Sequence, residues 1–145
     1  MRTIAFGLFA LTSLAGAPNA ASDRAQVEAV VREAYVQGVH ANPDPEAMRR
    51  GFHPDFRMLV LREGQLRGVT LDEWAARVEK AAAERRAGTA GPEIRADLTQ
   101  IDVTGDAATV RLELHRDGKH VYTDYLSLYR LPEGWRIVSK TFQAH

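Results

Sequence analysis

No cysteine occurs anywhere in the 145 residues. Disulfide stapling, thiolate nucleophiles and cysteine-ligated metals are therefore excluded, and the core must hold the fold unaided. Net charge is lacking as well. Nineteen Lys and Arg balance 19 Asp and Glu, so no global basic field recruits nucleic acid or an anionic membrane. There is no Gly-rich dinucleotide fingerprint, phosphate loop or Gly-x-Ser-x-Gly elbow, which disfavours nucleotide cofactors and that class of serine hydrolase. His40, His53, His115, His120 and His145 show no H-x-x-x-H spacing, and no metal or other cofactor is expected.

The apolar stretch 4–14 is broken by Gly7, Thr12 and Ser13 and is too short to span a bilayer. With Arg2 before it and small residues over 15–22 after it, it reads as a secretory signal peptide cleaved between positions 20 and 22. Residues 1–21 are then removed and 22–145 form one domain, exported to a bacterial periplasm or medium and held by no membrane.

The remainder is strongly patterned. Val27, Val30, Val31, Ala34, Tyr35 and Gly38 lie on one helical stripe, predicting a helix over 23–41 that Asn42-Pro43 ends. Asp44 and Pro45 open a short second helix, with Gly51 as a left-handed terminus. Phe52-His-Pro-Asp-Phe56 reads as a turn, followed by short strands at 57–61 and 66–69. Thr70 and Glu73 form a capping box for a third helix, which carries Trp74 on its apolar stripe and stops at Gly88. Alternation then predicts four strands, at 94–104, 107–116, 119–131 and 135–142. Gly105-Asp106 and Asp117-Gly118 are two-residue turns, and Pro132-Glu133-Gly134 joins the last pair. Helices first and a meander last predict an α+β fold: three N-terminal helices packed on a curved, mainly antiparallel sheet.

Register arithmetic nominates a site. From the Asp117-Gly118 turn, Arg116 faces Lys119, His115 faces His120, Glu113 faces Tyr122 and Arg111 faces Asp124, all on one polar face. Val110, Leu112, Leu114, Val121 and Tyr125 take the core face. Asp124 is then a base held ionised by Arg111, or else one half of a solvated cross-strand pair. Across the last turn, a three-residue loop sets Asp124 against Phe142, and a shorter loop shifts the pairing by one. Lys140 lies close to Asp124 in either register. His53, between Phe52 and Phe56, is a further acid–base candidate, or a loop histidine bonding nearby backbone. Tyr35, Phe56, Trp74, Tyr122, Tyr125 and Lys140 are candidate ligand contacts in a mostly apolar pocket.

Tyr35-Val-Gln-Gly38, Phe52-His-Pro-Asp-Phe56, Asp124-Tyr-Leu-Ser-Leu128, Gly134-Trp-Arg-Ile137 and Lys140 together resemble the lumazine-binding family. That family lies within the nuclear-transport-factor-2-like, or polyketide-cyclase (SnoaL)-like, superfamily. The resemblance implies a cone-shaped α+β barrel with a pocket between helices and sheet, often as a dimer. Superfamily activities range from isomerases, dehydratases, epoxide hydrolases and cyclases to non-catalytic binders. Three readings follow. The first is an exported small-molecule-binding protein without cofactor. The second is a cofactor-independent isomerase, dehydratase or hydrolase with Asp124 as base and Arg111, His53 or Tyr122 assisting. The third is an interaction module forming a homodimer through the sheet.

Overall fold

The computed structural model describes residues 20–145, so the expected signal segment lies, but for its last residues, outside the described residues. Helix α1 (Ala20–Val30) runs without a break into a π-helical stretch, Val31–Ala41. Its apolar stripe is buried as the pattern requires, with Val27, Val31 and Tyr35 fully covered. The π geometry is the departure. Its i to i−5 hydrogen bonding reaches the end of the stretch, where the Asn42 N–H donates to the Gln37 carbonyl. Residues five apart then lie one turn apart, and Tyr35 meets His40 ring edge to ring face at 4.8 Å.

Helix α2 (Pro45–Gly51) starts on Asp44, whose carboxylate accepts from the Glu46 and Ala47 N–H groups. Gly51 does not take up a left-handed conformation. It is needed for closeness, since a Cβ there would lie 2.2 Å from the Ala34 Cβ. Helix α3 (Leu71–Arg86) begins at the full Thr70–Glu73 capping box, and Gly88 beyond it is left-handed at φ 93°.

Six strands form one open, curved sheet: β1 (Phe52–Arg62), β2 (Gln65–Thr70), β3 (Ile94–Thr104), β4 (Ala107–Arg116), β5 (Lys119–Leu131) and β6 (Gly134–Ala144). Their order is β2-β1-β6-β5-β4-β3, parallel between β1 and β6 and antiparallel elsewhere. The stretch from Phe52 to Phe56 is the irregular start of β1 rather than a turn. Five residues there advance the strand while β6 advances by two, from Ile137 to Ser139.

Two bulges decide which side chains face inward. Between β4 and β5, His115 pairs with His120 but Leu114 pairs with Tyr122, leaving Val121 as an extra residue. Beyond it, Asp124 pairs with Leu112 and Arg111 with Tyr125, which corrects the expected Arg111–Asp124 pairing. Asp124 therefore sits on the core side, fully buried, while Tyr125 is exposed on the outer side. Between β5 and β6 the turn is the shorter one, with Leu131 opposite Gly134, and Val138 is the second extra residue. That bulge restores Asp124 opposite Phe142 and sets Lys140 opposite Leu126, on the same inner face.

Candidate functional site

Polar atoms inside this core must find one another, and three side chains do. Asp124 comes from the middle of β5, Lys140 from β6 and Tyr35 from the π-helical stretch. The Lys140 Nζ lies 2.7 Å from Asp124 Oδ1, with the two side chains 4% and 0% exposed. The Tyr35 hydroxyl donates to Asp124 Oδ2 at 2.5 Å, and Lys140 Nζ donates to the same hydroxyl. The ammonium thus bridges Asp124 Oδ1 and the Tyr35 hydroxyl, and each carboxylate oxygen faces one donor.

Four rings surround the ammonium: Tyr35 at 4.7 Å, Phe142 at 4.9 Å, Trp74 at 5.5 Å and Tyr122 at 5.7 Å from Nζ to centroid. Distances of this order give cation–π attraction that strengthens when water is absent. Tyr122 and Phe142 meet edge to face and are only partly buried, so they are the members of the cage that reach solvent. His40 closes another side. Its Nε2 is sealed from solvent with no hydrogen-bond partner.

Burial sets the electrostatics. Desolvation lowers the Lys140 pKa, and the attraction of Asp124 opposes that shift. The Tyr35 hydroxyl is pushed well above its ordinary value by burial and then by Asp124, so it stays protonated and able to donate. Desolvation, followed by the positive charges of Lys140 and Arg116, pulls His40 down to about 3, which keeps the imidazole neutral at pH 7.

Of the sequence candidates, Asp124, Lys140, Tyr35, Trp74 and Tyr122 are brought together. Phe56 stacks behind Trp74 at 5.6 Å, a packed core ring. Arg111 lies on the opposite sheet face, paired with Glu113 and bonded to Thr99 Oγ1 at 2.8 Å. His53 is apart as well, its Nδ1 accepting from the Asp55 N–H at 3.1 Å. Tyr125 stands on the outer face. Between the helices and the sheet lie buried side chains such as Tyr35, Phe52, Phe56 and Leu112. One recess of about 260 Å³, bordered by Asp102, Thr109, Ser127 and Tyr129, is on the outer face of the sheet, and another of about 370 Å³ lies between the β1–β2 hairpin and Arg77 of α3. His40 was missed by sequence reasoning, because its approach to Tyr35 exists only in the π geometry.

A curved open sheet wrapped over three helices is the architecture of nuclear-transport-factor-2-like proteins. The chain superposes with a TM-score of 0.69 on an NTF-2-like protein of unknown function from Silicibacter pomeroyi, at 26% identity over 88% of this chain and 100% of that one. A second such protein, from Shewanella baltica, gives 0.67 at 20% identity over 89% and 98% of the two chains. The profile of the family described as "Putative lumazine-binding" matches residues 22–143, and the chain belongs to that family. It is also 26% identical over 123 residues to Aldolase FrzH of Cladobotryum, across 83% of this chain and 92% of that protein.

Proposed function

We propose that the protein binds a small aromatic or heterocyclic molecule in the cone, with Lys140, Tyr35 and Asp124 holding its polar edge. One observation carries this reading: a charged pair is enclosed among aromatic rings where apolar packing alone would hold the fold. Desolvating two charges costs several kcal/mol per ion, so such a pair marks a functional site more readily than a stabilising one. Nζ supplies donors for a carbonyl or enolate oxygen, and the Asp124 carboxylate, with more than one acceptor position per oxygen, accepts from a ligand N–H or O–H. A ligand enters past Tyr122 and Phe142, whose side chains give way, and stacks on Trp74 or Tyr35.

A thermal-shift screen with aromatic and heterocyclic carbonyl compounds tests this. At a hundredfold excess over Kd, a true ligand adds about 2.7 kcal/mol and raises Tm by several degrees. Absence of any shift across the set would count against the reading. The second reading makes the same group a cofactor-independent isomerase, dehydratase or hydrolase with Asp124 as base. Its support is the Tyr35 hydroxyl between Asp124 and Lys140, which is a ready proton path, together with the aldolase-named relative. Turnover of a hit compound without added cofactor, followed by NMR, selects it.

We also propose export, supported by the order of residues over 2–22. Homodimerisation through the outer sheet face is supported by Tyr125 and Tyr129, which are large and exposed there. Light scattering is expected to give twice the chain mass, and Tyr125→Arg with Tyr129→Arg to give a monomer. A monomeric parent protein contradicts the dimer.

A further inference from the structure

The outer face of the sheet carries a second cluster, at the end of β4 and β5 next to the chain's last residues. We propose that Glu113, His120 and His145 form a divalent-cation site. No spacing in the sequence announces it; the Val121 bulge builds it. By adding one residue to β5, the bulge lets His120 stay opposite His115 while Thr123 comes opposite Glu113. The His145 N–H donates to the Val121 carbonyl and so brings the third side chain over the same strand.

The ligand atoms of Glu113, His120 and His145 all lie within 4.8 Å of one another. A zinc ion with bonds of about 2.0–2.1 Å draws tetrahedral ligands to roughly 3.4 Å apart, a change that side-chain rotation supplies without moving the strands. Two imidazoles and one carboxylate match the donors that zinc and similar first-row ions prefer.

The supporting contacts are those of a preassembled site. Glu113 Oε2 is 2.6 Å from His120 Nε2 and accepts from the Thr123 hydroxyl at 2.7 Å. The same hydroxyl lies 2.9 Å from His145 Nε2. Arg111 also pairs with the Glu113 carboxylate. The rings of His120 and His145 stack at 4.0 Å, and His115 stacks on His120 at 4.9 Å. The His120 side chain is 35% exposed, so an ion reaches the site from solvent and retains a position for water. His120 Nε2 also lies 3.0 Å from the Tyr122 carbonyl, and a bound ion takes the place of this contact and of the one to Glu113.

The test is a calorimetric titration of the untagged protein with Zn(II), repeated with Co(II) by absorption spectroscopy. One ion per chain is expected, and Co(II) should give ligand-field bands from a low-symmetry site. E113Q, H120A and H145A should each weaken Zn(II) binding by at least about tenfold, while H53A, on the distant start of β1, should leave it unchanged. Absence of saturable binding, or wild-type affinity in the E113Q/H145A double variant, would overturn the proposal.

Discussion

Asp124→Leu is expected to destabilise the fold by about 3–5 kcal/mol, read as a lower urea midpoint with an unchanged slope. The substitution leaves the Lys140 ammonium buried among four rings with no carboxylate beside it. The stranded charge's share of this cost has an upper limit in the lysine's own escape, because it can shed its proton on folding, and the rest comes from the Tyr35 hydroxyl that loses its acceptor. Deprotonating a side chain of ordinary pKa near 10.4 costs roughly 4.6 kcal/mol at pH 7, and that cost falls by about 1.4 kcal/mol per pH unit. The unfolded variant binds one more proton than the folded one, so the penalty of Asp124→Leu should shrink as pH rises toward 10. Lys140→Met should cost a similar amount at neutral pH, since it strands the carboxylate. The double variant Asp124→Leu/Lys140→Met should be near neutral or more stable than the parent, because two desolvation costs vanish together. A double variant as unstable as the singles would mean that the pair itself holds the fold.

The second large effect concerns acid. The His40 value of about 3 lies below the ordinary 6.5 because its ring is desolvated and faces Lys140 and Arg116. Between those two values the unfolded chain binds a proton that the folded chain does not. Stability that is fully present above pH 6.5 is therefore lost as pH falls through the window from 6.5 to about 3. The slope should approach 1.4 kcal/mol per pH unit in mid-window. His40→Phe, which keeps an aromatic edge against Tyr35, should remove this share of the acid sensitivity. Urea titrations of both proteins at pH 7 and pH 4.5 read the difference. Equal losses in the two proteins would show that His40 is already protonated in the fold.

These effects rest on geometry that the sequence carries unevenly. Local chemistry was legible: the Thr70–Glu73 capping box, the Asp44 cap and the left-handed Gly88 all stand where their residue types place them. The α+β order, the mainly antiparallel sheet and the family were legible as well, because alternation and turn chemistry are short-range signals. Registers were not. A bulge is chosen by packing across the sheet rather than by the strand's own residues, and one extra residue reverses every side chain beyond it. Val121 thus moves Asp124 from a solvated face beside Arg111 to the core, and Tyr125 the other way. Val138 undoes the shift set by the shorter last turn, so Asp124 meets Phe142 although the turn differs from the one that would place it there directly. The proximity of Lys140 to Asp124 survived because both registers keep the two at one level. The Tyr35–His40 contact was hidden, since an apolar stripe at helical spacing does not distinguish an α-helix from the π form.

The central claim is that the enclosed Lys140–Tyr35–Asp124 group serves a ligand rather than the fold. The most direct measurement compares ligand-induced thermal shifts of the parent protein and of the Asp124→Leu/Lys140→Met double variant, using any compound that stabilises the parent. The expected result is a folded double variant whose Tm does not respond to the compound. A double variant that shifts as much as the parent would contradict the claim.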